Sequence, residues 1–116
     1  MAFDDGLFEL ARESLEPLGA VTMRRMMGGA TLYLDGTVFA ILLDDALWFK
    51  ADAQSDAEWD AAGCVRFTYA RRDGRVATMN YRRAPPDVYD EPEETQRWAR
   101  LALAAGERAA AKKRGR

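Results

Sequence analysis

Few side chains in this 116-residue sequence are equipped to do catalytic work. There is no histidine, which removes the commonest general base, the Ser-His arrangements and most transition-metal sites. The single cysteine, Cys64, cannot build a thiolate cage, and beside Val65 on a strand it reads as a small packed hydrophobe rather than a reactive thiol. Asp44-Asp45 has the composition of an acid/base dyad, but acids are expected at a turn between two strands for backbone reasons. Met27-Gly28-Gly29-Ala30 fails as a phosphate loop. Neither G-x-x-x-x-G-K-[ST] nor G-x-G-x-x-G is present, and a strand follows rather than a helix with its positive end, so the glycines serve a bend or bulge. The sequence therefore predicts no enzyme, with no catalytic, cofactor-binding or metal-ligating residues. A carboxylate-and-arginine enzyme would need acids converging in a cleft.

Chemistry suited to binding is better represented. Two antiparallel runs, Cys64 to Arg71 and Arg75 to Arg83, flank Arg72-Asp73-Gly74-Arg75. With Arg72 opposite Arg75, one face of this hairpin carries Arg66, Arg72, Arg75, Arg83, Tyr81 and Met79, and the other carries Val65, Phe67, Tyr69 and Val76. Guanidinium groups around an aromatic suit phosphates, stacked bases or an acidic protein surface. They equally suit a solvated outer face answered by nearby acids. A second basic feature closes the chain: Lys112, Lys113, Arg114 and Arg116 could touch nucleic acid weakly, through charge alone. Residues 107–116 carry +4, which leaves −6 on residues 1–106. An acidic body disfavours general attraction to phosphate backbones, so such binding falls to the tail or a local patch.

The elements that must hold these groups can be traced from periodicity. Phe3-Asp4 opens a helix, with Asp4 as cap and Phe3 and Phe8 as a hydrophobic staple. Leu7, Leu10, Ala11, Leu15 and Leu18 form its buried stripe, and Pro17 stops it near Glu16. From Val21 to Ala51 the pattern is that of strands. Asp35-Gly36 marks a two-residue hairpin turn pairing Leu34 with Thr37, Leu32 with Phe39 and Ala30 with Ile41, so that the five apolar members face the core. Asp44-Asp45 then leads into Leu47-Trp48-Phe49-Lys50. A three-residue turn there pairs Leu43 with Leu47 and Ile41 with Phe49, with Trp48 and Lys50 on the opposite face. Ser55-x-x-Glu58 has the form of a capping box for a short helix ending at Gly63. After the second hairpin, Pro85-Pro86 intervenes. Asp90-Glu91-Pro92-Glu93 starts the last helix, whose buried face is Trp98, Leu101, Ala102 and Ala105.

The fold class that follows is α+β: an antiparallel sheet of about five to six strands in two hairpin-containing segments, with N-terminal, short middle and C-terminal helices packed on it. One domain covers 1–106, and 107–116 reads as a basic, disordered tail. No apolar run approaches the ~20 residues needed to cross a bilayer, and the start lacks a signal-peptide pattern. Those features and the lone cysteine predict a cytoplasmic protein with no membrane partner.

Arg24-Arg25-Met26-Met27-Gly28-Gly29, Leu32-Tyr33-Leu34-Asp35-Gly36, Phe39-Ala40-Ile41-Leu42 and Leu47-Trp48-Phe49-Lys50-Ala51-Asp52 together resemble the N-terminal domain of the TfoX/Sxy family. Gly63 through Phe67-Thr68-Tyr69, Met79-Asn80-Tyr81, Pro86-Asp87-Val88-Tyr89-Asp90 and Trp98-Ala99-Arg100-Leu101-Ala102 continue the likeness in the same order. The resemblance implies an α+β fold with an antiparallel sheet and no catalytic residues. It also implies a link to bacterial natural competence, where full-length members act with the cyclic-AMP receptor protein at promoters and carry a second, C-terminal domain. A chain of this length has no room for that domain, so a single-domain member is expected. The expected function is a non-enzymatic protein-interaction module, regulatory in character, acting through the second hairpin or a sheet edge. Homodimer formation through that edge is the companion expectation. Weak nucleic-acid binding through the arginine face and tail is the second reading.

Overall fold

The computed structural model describes residues 5–26 and 28–115. The Phe3-Asp4 cap and staple, Met27 and Arg116 lie outside the described residues. Helix α1 (Asp5–Ser14) is followed by β1 (Val21–Met26), β2 (Gly29–Leu34), β3 (Thr37–Leu43), β4 (Ala46–Lys50) and α2 (Asp56–Ala61). Strands β5 (Arg66–Ala70) and β6 (Val76–Arg83), a 3-10 turn (Pro86–Tyr89) and α3 (Pro92–Arg114) complete the chain. The six strands form one sheet in the order β1-β2-β3-β4-β6-β5, and every neighbouring pair is antiparallel.

The helices cover one face of this sheet. Leu32, Leu34, Phe39, Leu47 and Phe49 meet Ala11 and Leu15 from the first helical segment and Trp98, Ala99 and Ala102 from α3 in one buried core. Aromatic rings run through it: Phe39 to Phe49 at 6.4 Å, Phe49 to Trp59 at 5.7 Å and Trp59 to Trp98 at 4.6 Å between centroids. Such rings bury the largest apolar areas available, so this chain of contacts unites sheet, α2 and α3.

Register departs from the sequence expectation at three places. The Asp35-Gly36 turn forms with both residues at positive φ, and Leu34 pairs with Thr37 as expected. A bulge then follows, so Leu32 pairs with Ala40, and Ala30 with Leu42. Phe39 keeps its place in the core, whereas Ile41 turns to the opposite face. The Asp44-Asp45 turn has two residues rather than three, Leu43 pairing with Ala46. Both aspartates are left-handed, at φ 53° and 57°, the conformation a two-residue turn of matching twist requires and one that Asp tolerates better than most residues. The bulge and the even turn offset each other, which returns Phe49 to the core side opposite Ala40. At the third place, Ala70 pairs with Val76, and Arg71 and Gly74 close a wider turn around Asp73. The expected pairing of Arg72 with Arg75 is therefore displaced by one residue.

Two further corrections concern helix ends. Ser55 stands at the N-cap of α2 without a side-chain cap bond. Its hydroxyl instead accepts from the Asp52 amide at 3.0 Å, while Asp52 Oδ1 accepts from the Ser55 amide at 3.1 Å. The capping box is thus replaced by an Asp52–Ser55 turn. The last helix also continues past Gly106 to Arg114, where the sequence reading placed a disordered tail. Gly106 faces the Val38 carbonyl so closely that a Cβ would collide with it, which makes this glycine a packing residue rather than a helix stop. The alanines after it favour helix, and Arg108 anchors the extension by donating to both Asp52 carboxylate oxygens at 2.7 and 2.8 Å.

Candidate interaction face

The six strands contain no acidic residue, while Arg24, Arg25, Lys50, Arg66, Arg82 and Arg83 all lie within them. By register, Arg24 shares a face with Thr31, whose hydroxyl lies 3.3 Å from the Met26 sulfur. That face is the one without helices, and a second apolar cluster is built there from Ile41, Ala46, Trp48 and Phe67. Met26, on one edge strand, and Phe67 and Tyr69, on the other, line a common groove of about 310 Å³ with Ile41, Leu43 and Met79. Side chains from opposite edges can meet only if the sheet curls, so the helix-free face is concave.

Rings and cations are fitted together around this groove. Trp48 and Phe67 meet edge-on, at 5.0 Å and 82°. Arg83 lies over the Trp48 ring at 5.5 Å, and Lys50 over the Tyr81 ring at 5.1 Å. The indole N–H of Trp48 donates to the Leu43 carbonyl at 3.2 Å. Burial pushes the Lys50 ammonium below its ordinary range, against the opposing pull of Asp52. The Tyr81 phenol is pushed up, by burial first and then by nearby Tyr33.

The structure does not bring Arg66, Arg72, Arg75, Arg83 and Tyr81 onto one face. Arg66 sits opposite Arg82 and lies 3.6 Å from Asp56, on the helix side. Arg72 and Arg75 are at the hairpin tip, where Arg75 pairs with Asp73 at 2.9 Å. Only Arg83 and Tyr81 join the concave face. The one-residue displacement at the turn and the shift between Arg66 and Phe67 reassign the side chains, because each single step reverses a strand's faces. It also puts Phe67 and Met79 on the same side and leaves Val65 and Val76 exposed rather than in the core. On α3, Lys113 and Arg114 line a second hollow together with Lys50 and Tyr81, so two basic features that are separate in sequence meet in space.

Arg82 carries the densest polar network, and the sequence reading passed over it. With 2% of its surface exposed, it donates to Asp60 at 2.7 Å, Asp56 at 3.0 Å, the Cys64 carbonyl at 3.0 Å and Asn80 at 3.1 Å. This clamps α2 onto β6. Cys64 is buried, and burial pushes its thiol up, away from the thiolate that reactivity needs. Among the described residues, no group of three or more His, Cys, Asp or Glu side chains could hold a metal ion, and no helix is long and apolar enough to cross a membrane.

The family model of the TfoX N-terminal domain matches residues 13–106, taking in all six strands, α2 and most of α3. The chain belongs to the TfoX N-terminal domain family. This TfoX N-terminal domain is 31% identical over 100 residues to Protein Sxy of Escherichia coli (strain K12), covering 82% of the chain and 45% of Sxy. It is 30% identical over 67 residues to DNA transformation protein TfoX1 of Aliivibrio fischeri (strain ATCC 700601 / ES114), covering 58% of the chain and 32% of that protein. The matches therefore span less than half the length of either relative.

Proposed function

We propose that this TfoX N-terminal domain is a non-enzymatic, cytoplasmic, regulatory interaction module linked to DNA transformation, which docks an acidic segment with an apolar anchor from a protein partner. The observation that carries this reading is the concave sheet face: an apolar groove flanked by Arg24, Lys50 and Arg83, on strands free of acids. A groove of this size accepts one or two apolar side chains, and the flanking cations favour an acidic surround. The name of the TfoX1 relative supports the link to DNA transformation.

Nucleic acid is the competing occupant, and ring geometry weighs against it. Base stacking needs open aromatic faces. Here Arg83 covers Trp48, Lys50 covers Tyr81, and Phe67 is turned edge-on to Trp48. Tyr69 is the aromatic of this groove left substantially exposed, at 44%.

In-cell photocrosslinking tests the proposal, with the photoreactive residue at position 69 and a control at Glu13. The expected product is a nuclease-insensitive adduct with an acid-rich protein segment, absent at the control site and abolished by Met79→Lys in a protein that keeps its melting temperature. Adducts with nucleic acid alone, or with a second copy of this chain alone, overturn the reading in favour of those partners. Equal labelling at both positions also overturns it.

A further inference from the structure

Beside the apolar groove, and sharing none of its lining residues, lies a hollow of about 470 Å³ whose lining includes Thr31, Thr37, Lys50, Tyr81, Lys113 and Arg114. Its lining contains three cationic side chains and no carboxylate. Among the described residues, Lys50, Lys113 and Arg114 form no ion pair. The nearby acid, Asp52, is already held by two hydrogen bonds from Arg108. Lys50 is half-withdrawn from water, and that desolvation opposes its charge. Lys50, partly desolvated and resting on the Tyr81 ring without an ion pair, thus lines one hollow with two further cations, an arrangement that a multiply charged oxyanion would relieve. The last turn of α3 contributes the negative end of a helix dipole, roughly half an elementary charge, which three full positive charges outweigh.

We propose that this hollow is a binding site for the phosphate group of a small phosphorylated ligand, held by Lys50, Lys113 and Arg114 with the Thr37 hydroxyl as a supporting donor. A guanidinium fork beside two ammonium point charges matches the tetrahedral array of phosphate oxygens, and the volume admits a phosphate with an attached group as large as a nucleoside. The site shares Lys50 with the cationic flank of the docking groove, but its assignment does not rest on the reading given for that groove.

Calorimetric titration of the full chain with inorganic phosphate, pyrophosphate and AMP, at constant ionic strength with potassium chloride, tests the assignment. Saturable one-to-one binding with Kd of about 1 mM or tighter is expected, together with an upward NMR titration shift of the Lys50 ammonium. Lys50→Met, and independently the pair Lys113→Ala with Arg114→Ala, should each weaken binding at least about tenfold, the loss of one charge-assisted hydrogen bond. The exposed helix-end pair carries the comparison should Lys50→Met unfold in a thermal melt. AMP binding tenfold tighter than phosphate identifies a nucleotide, and equal binding identifies the phosphate group alone. Failure of all three probes to saturate at millimolar concentration, or binding unchanged in the folded variants, overturns the site.

Discussion

Arg82 is the side chain on which most polar structure converges, and its removal separates a structural clamp from a merely adjacent charge. Arg82→Met keeps much of the apolar stem but takes its donor from Asp60 and the Cys64 carbonyl and leaves Asp56 only Asn80 and Arg66. Breaking one side of a buried ion pair costs about 3–5 kcal/mol; since Asp60 is two-thirds exposed, a loss of about 2–3 kcal/mol in urea unfolding is expected. A loss below about 0.5 kcal/mol would show that the clamp contributes little. Asp52 offers a test by pH. Its carboxyl is lowered to about 2, chiefly by the Arg108 hydrogen bonds. A carboxyl depressed on folding stabilises the native state above its unfolded pKa, near 3.9, and that contribution fades as pH falls toward 2. Both partners are partly exposed, so Asp52→Asn should cost about 1 kcal/mol at pH 7. The gap between variant and parent should close in melts near pH 2, and a gap independent of pH would refute the assignment.

Between single residues and the whole sheet, what could be read in advance was the kind and order of elements. Asp35-Gly36 announced its turn because few residues suit two consecutive positive φ angles. Asp44-Asp45 adopted the same geometry without a glycine, and no side-chain pattern signals a bulge within the uniformly apolar Val38–Leu43 run. Face assignments within the first four strands were therefore illegible, and the arginine patch was lost separately, to the one-residue displacement at the second hairpin's turn and the shift between Arg66 and Phe67. The concave groove was hidden for the same reason, since Ile41 and Phe67 join it only through the actual registers. The absence of acids from the strands was readable and would have marked the basic sheet. Helix α3 provides a further test. Alanine is worth up to about 1 kcal/mol over glycine in a helix interior, yet Gly106→Ala should destabilise by about 1–3 kcal/mol because the new methyl meets the Val38 carbonyl. A stabilised variant in thermal melts would mean that α3 does not press on β3 there.

For the molecule as a whole, the aromatic chain from Phe39 through Phe49 and Trp59 to Trp98 decides cooperativity. It joins the sheet, α2 and α3, so these parts should unfold together. Trp98→Ala should cost about 3–5 kcal/mol, with far-ultraviolet circular dichroism and amide exchange in β4 shifting in step. An α3 that melts ahead of the sheet would contradict a shared core. The division of labour between faces follows from the same arrangement: one side of the sheet is consumed by stability, which leaves the concave side to contacts.

That division also sorts the three tryptophans by what light can report from them. Trp59 and Trp98 stand 4.6 Å apart, close enough for their excited states to couple, and their joint signature belongs to the interior. Trp48, under Arg83 and beside the groove, is the indole whose emission a visitor to that surface would alter. The domain thus carries a native fluorophore for occupancy and a separate chromophore pair for integrity, so docking and unfolding can be followed in one cuvette without a label.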